Sequence, residues 1–111
     1  MNIITLDLKF GKLLPRSNTN RVVIHHSASA DVSSVEIHRW HLQRGWSGIG
    51  YHLVIREDGT IEEGRPLNTV GAHASSEGNS DSIAVCLTGD FTRQPPAIKQ
   101  MKSLVELIGW L

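Results

Sequence analysis

The alternation of apolar and polar positions divides this chain into short elements. Val22-Val23-Ile24, entered from Arg21 and leading into His25-His26-Ser27, is an apolar run of strand length. It predicts a buried strand over Arg21 to His25. Ser82 to Thr88 is a second buried-strand candidate. Tyr51 to Arg56 and Thr60 to Glu63 flank Glu57-Asp58-Gly59, and Asp-Gly between two such runs predicts a hairpin. Val35 to Arg44 reads as a helix, with Ser33 and Ser34 as candidate N-caps and Gly45 as its stop. Its apolar residues fall on two faces, Val35 with Leu42 and Ile37 with Trp40, which predicts packing on two sides. Over Gln94 to Leu111, Pro95-Pro96 opens a second helix. There Ile98, Met101, Leu104, Val105, Ile108 and Leu111 form one apolar stripe. Asn68 to Ser80 reads as a Gly/Ser-rich loop carrying His73. Residues 1–20 read as an N-terminal arm, in which Ile3, Leu6, Leu8 and Phe10 suit an edge strand and Pro15 to Asn20 a loop.

Composition narrows the function classes. A chain of 111 residues is one domain, and 40% apolar residues can fill a core. Eleven basic and 11 acidic residues balance, so no electrostatic footprint for nucleic acid is present. A single cysteine, Cys86, excludes an intrachain disulfide framework. No apolar segment approaches the roughly 20 residues of a membrane span, so no membrane insertion is expected. Met1 to Lys12 lacks the apolar core of a secretory signal, which predicts synthesis in the cytoplasm.

The candidate chemistry lies in four motifs, in this order: His25-His26-Ser27-Ala28; Gly50-Tyr51-His52; Val70-Gly71-Ala72-His73-Ala74; and Asn79 to Gly89. The pairs Trp40-His41 and Gly45-Trp46, the Arg56 to Thr60 turn and Gly64-Arg65 stand between them. In this order and spacing the chain resembles the zinc-dependent N-acetylmuramoyl-L-alanine amidases of type 2. That family includes phage lysozyme-type endolysins and peptidoglycan recognition proteins. The resemblance runs from about Arg21 to Leu111 and implies an α/β fold, a mixed central sheet flanked by helices.

The resemblance also implies roles. His25 matches the first zinc ligand, and zinc supplies a water of lowered pKa. Tyr51 matches a tyrosine near the metal, suited to donate a hydrogen bond to a developing oxyanion. His73, Trp46, Asn79 and His52 are the candidate substrate-binding residues, facing a muropeptide. His26 is expected to pack or hydrogen-bond, because strand neighbours point to opposite faces, and Trp40 to sit in the core. Cys86, inside an apolar strand, reads as a small hydrophobe. Glu57, Asp58, Glu62 and Glu63 read as a solvated face around the hairpin. Arg65 either anchors this region or faces an anionic stem peptide.

In the resembled family a further segment after the last helix carries a second histidine ligand and a cysteine or aspartate. The domain over 21–111 is therefore expected to be incomplete at its C-terminus, with its last strand and part of its zinc site missing. The implied function is hydrolysis of the amide between N-acetylmuramoyl and L-alanine in peptidoglycan, on the cell wall after release. The alternative is a non-catalytic muropeptide-binding module or an inactive remnant. A sheet edge left open predicts self-association.

Overall fold

The computed structural model describes all residues, Met1–Leu111. Its elements are β1 (Ile3–Ile4), β2 (Arg21–His26), α1 (Ser34–Gln43), β3 (Leu53–Ile55), β4 (Ile61–Glu63), α2 (Ser76–Ser80), β5 (Ser82–Leu87) and α3 (Ile98–Trp110). The five strands form one sheet in the order β1-β4-β3-β5-β2. Only β3 and β4 run antiparallel; β1 on β4, β3 on β5 and β2 on β5 are parallel. The sheet is mixed, as expected, and β2 lies at one edge.

β5 sits between β3 and β2 and is buried along its whole length. A strand buried on both faces needs a continuous apolar run, and Ile83-Ala84-Val85-Cys86-Leu87 supplies one. Alternation along β5 then sorts the core into two layers. Ile83, Val85 and Leu87 pack with Leu53, Ile55, Ile61, Leu104 and Leu107 on the α3 face. Cys86 packs with Ile37, Ile49 and Val54 on the α1 face.

Several expectations change on contact with the structure. The loop before β5 contains a one-turn helix, α2, capped by Ser75 Oγ accepting from Gly78 N–H at 3.3 Å. The segment has no apolar periodicity, so only its cap could have signalled it. The predicted N-terminal strand shrinks to two residues at the sheet edge beside β4, while Leu8 and Phe10 pack against the Ile37 layer. Helix α1 buries one face rather than two. Ser34, Ile37, His38 and His41 point inward, and Val35 and Leu42 are exposed.

The prolines of Pro95-Pro96 lie before α3 rather than in its first turn; Ala97 is the N-cap, and Gln100 Oε1 accepts its N–H at 3.0 Å. The apolar stripe of α3 is only half a core face. Gln100, Leu104 and Leu107 are buried, whereas Ile98 and Val105 remain 76% and 70% exposed. Gln100 wins a core position because its amide donates to Ile55 O and Thr88 O, at 3.1 and 2.8 Å. A buried amide with its bonds made is tolerated. Glu62 is not part of a solvated face. It is buried, and its Oε1 accepts Ser34 N–H at 2.7 Å, placing a carboxylate at the electropositive start of α1.

Candidate active site

The candidate site forms where β2 and β5 face α1. The register sets His25 opposite Cys86, so its ring lies on the α1 side of the sheet. His26 points to the other side, where its Nδ1 accepts Phe91 N–H at 3.1 Å and its ring packs on Phe91. The expected split of the two histidines is what the strand produces.

His25 has two aromatic neighbours. Its ring centroid is 5.4 Å from that of Tyr51, and its Nε2 is 2.8 Å from His73 Nδ1. Burial is the first cause, and the charge of His26 the second, that lowers the His25 pKa. Burial also pushes the Tyr51 phenol up to about 12, so Tyr51 keeps its proton and can act as a donor across the neutral range.

Tyr51 continues a row of rings. His41 lies 5.6 Å from it, and Trp46 lies 4.5 Å from His41. Trp46 is exposed, with the Arg44 guanidinium 5.4 Å over its ring. Trp46, His41, Tyr51, His25 and His73 thus make a continuous wall, with an exposed aromatic at one end.

The loop carrying His73 is held close by two glycines. A Cβ on Gly50 would lie 1.8 Å from Ala72 O, and one on Gly71 would lie 2.8 Å from the His73 ring. Ala72 N–H donates to Gly50 O at 3.1 Å. Only glycine permits this approach.

Other predicted residues take supporting places. Asn79 Oδ1 accepts the N–H groups of His73 and Ala74, at 3.0 and 2.9 Å. Its acceptor is therefore spent on shaping the His73 loop. His52 is fully buried, and this corrects its expected role at the substrate. Its Nδ1 accepts Ala84 N–H at 3.0 Å and its Nε2 donates to Thr69 O at 2.7 Å. It ties β5 to the loop behind the site. Its pKa is pushed down to about 4, chiefly by burial.

Arg65 resolves to the anchoring alternative. It is buried and donates to Ile49 O, Val70 O and Gly48 O. Cys86 is buried, its thiol pushed up to about 12 by burial, so it carries no thiolate at neutral pH.

Two residues of this region were missed from the sequence. His41 shares the inward face of α1 with Ile37, four residues earlier, and that spacing could have flagged it. Ser82 opens β5, inside the Asn79 to Gly89 motif, and its Oγ is 3.0 Å from His73 Nε2; the motif by itself assigned it no role.

A catalytic zinc takes three protein ligands and leaves a fourth position open. His25 and His73 converge here, but no three of the chain's histidine, cysteine, aspartate and glutamate side chains come together. The residues present therefore do not fit a zinc centre by themselves, and no chemical step is derived through the metal.

Comparisons with known proteins bear on the family and the fold. The family model described as N-acetylmuramoyl-L-alanine amidase matches residues 15–111. An endolysin of Klebsiella phage KP32 is 44% identical over 77 residues, 67% of this chain and 50% of that protein. Peptidoglycan recognition protein 1 of Bos indicus is 30% identical over 93 residues, 83% of this chain and 49% of that protein. The chain thus spans about half the length of these curated relatives. Among solved structures, the N-acetylmuramoyl-L-alanine amidase LysC from Clostridium intestinale superposes with a TM-score of 0.94 at 37% identity, covering 99% of this chain and 74% of that one.

Proposed function

The chain belongs to the N-acetylmuramoyl-L-alanine amidase family, and from that premise we propose that it acts on peptidoglycan, at the amide joining N-acetylmuramoyl to L-alanine of the stem peptide. The observation that carries this reading is the meeting of His25 and Tyr51, 5.4 Å apart between ring centroids, within an aromatic wall that ends in exposed Trp46. As the amide carbonyl becomes tetrahedral its oxygen gains charge, and a fixed donor such as the Tyr51 hydroxyl stabilises that charge more than the starting carbonyl. Exposed Trp46 offers a face on which a sugar or lactyl group packs.

Zinc enters this reading as the family's metal, with His25 as one of its ligands. Two further donors are needed to complete the centre. His73 takes part as the hydrogen-bonding neighbour of His25. The site of action is the cell wall.

The test is release of L-alanine amino termini from purified peptidoglycan, with zinc supplied. Tyr51→Phe is expected to slow turnover about 100-fold, the size of losing one oxyanion donor. Unchanged turnover would remove Tyr51 from the mechanism.

The donor count favours a second reading, muropeptide binding without hydrolysis. Calorimetry distinguishes the two: muropeptide binding with no amine release supports the binding module, and amine release supports the amidase.

The open edge of β2 and the apolar side of α3 further suggest self-association. Ile24, on β2, and Met101, on α3, line one apolar groove. Ile98, Val105 and Ile108 extend the exposed surface along the helix. Exposed apolar surface beside an edge strand is an interaction surface. Its occupant is a second copy of this chain. Mass measured during size-exclusion chromatography is expected to exceed 12.3 kDa; a monomer at high concentration rules it out.

A further inference from the structure

We propose that Ser82 and His73 are positioning residues that fix the tautomer of His25, leaving His25 Nδ1 as the bare lone-pair atom of the site. The hydrogens of the site are fixed from one end of a part-buried chain of bonds. Ser82 is fully buried at the start of β5. Its Oγ lies 2.6 Å from Gly78 O. A carbonyl only accepts, so the single hydroxyl proton of Ser82 is committed to it. The Oγ therefore meets His73 Nε2, 3.0 Å away, as an acceptor, and His73 carries its proton on Nε2.

A neutral imidazole has one N–H and one lone pair. With Nε2 protonated, His73 Nδ1 is the acceptor, and His25 Nε2, 2.8 Å away, is its donor. His25 then holds its one proton on Nε2, and its Nδ1 is bare. The relay thus transmits the orientation of one carbonyl, Gly78 O, through two rings to the site. A metal-binding histidine is held in one tautomer by a partner on its other ring nitrogen. Here that partner is a second histidine rather than a carboxylate or backbone oxygen.

Other bonds hold the relay's members in place. The His73 backbone is tied by Asn79, and Ser82 is held in the β5–β2 ladder opposite Arg21. The His52 ring is 6.4 Å from that of His73, but both of its nitrogens are bonded elsewhere. The functional meaning of the bare Nδ1 rests on the reading of His25 as a ligand; the tautomers themselves do not.

The experiment is long-range proton–nitrogen correlation NMR on the whole chain, labelled with nitrogen-15, at a pH above 7.5, where unperturbed imidazoles are neutral. The expected pattern is a protonated Nε2 and a bare Nδ1 for both His25 and His73. A protonated Nδ1 on His25 in the wild-type chain overturns the proposal without any variant. In Ser82→Ala both rings are expected to shift toward averaged tautomer signals, and Ser82→Thr is expected to restore the wild-type pattern. Unchanged tautomers in a folded Ser82→Ala also overturn it.

Adding zinc to the same sample separates this proposal from the reading it serves. Perturbation at His25 Nδ1 supports both, and perturbation at Nε2 overturns the relay. No perturbation at either nitrogen sinks the ligand reading alone, since the metal-free tautomers have already decided the relay.

Discussion

The six histidines of this chain fall into two groups that the sequence writes identically. His26, His38, His41 and His52 each accept a backbone N–H on Nδ1, from Phe91, Ile49, Gly50 and Ala84 respectively. His25 and His73 instead bond to each other. The first group pins loops to the sheet and helix; the second forms the site. For two of the pins the tautomer is consistent across both nitrogens: His38 Nε2 is 2.9 Å from Lys9 O and His52 Nε2 is 2.7 Å from Thr69 O. The difference teaches that a histidine becomes available for chemistry when the backbone does not need it.

Breaking a pin should cost far more stability than breaking the pair. His52→Ala is expected to have the largest effect, about 4 kcal/mol, since it leaves a cavity and strands a buried N–H and a buried carbonyl. Denaturant unfolding measures it, and a loss under 1 kcal/mol would end the distinction.

Acid should reach both groups, because burial also pushes His73 down to about 4, and the pins take part through two of their members. Burial first, then nearby positive charges, pushes the pKa of His41 down to about 4, and His52 is held equally low. Lowered histidine pKa values mean that the unfolded chain binds protons first. Their contribution is complete above the unfolded value of about 6.5 and is lost as pH falls through the window down to about 4. A loss of up to about 3 kcal/mol per histidine is expected across that window, measured as a falling denaturant midpoint. In His52→Gln the slope should become shallower.

His25→Ala sharpens the comparison from the other side. It should change stability by under about 1 kcal/mol, because the ring is half-buried and holds no backbone group, while abolishing amine release from peptidoglycan. A large stability loss would place His25 among the pins. The smallest expected effect is that of Val105→Glu on the exposed side of α3. Monomer stability should move by no more than about 0.5 kcal/mol, while self-association is lost.

Much of the sheet was legible in the chain. The apolar runs of β2 and β5, and the Asp58-Gly59 turn between β3 and β4, mark themselves because burial and turn geometry act through a few neighbouring residues. Helix α2 was not legible, since a single capped turn buries nothing. The inward face of α3 was misread because Gln100 earns its core position through bonds to Ile55 O and Thr88 O, which lie on other elements. His25 and Tyr51 could be singled out by their motifs, whereas His52, Ser82 and Glu62 acquired their roles from partners far along the chain.

The sequence by itself determined the family, the strands and helices that make the sheet, and the histidines and tyrosine around which a site could form. Those follow from local periodicity, turn residues and motif order. Only the tertiary structure decided which histidines are free, which carboxylate caps α1, and which side of α3 faces the core. Each of these is set by hydrogen bonds and burial between residues distant in sequence, whose pairing exists only once the sheet has formed.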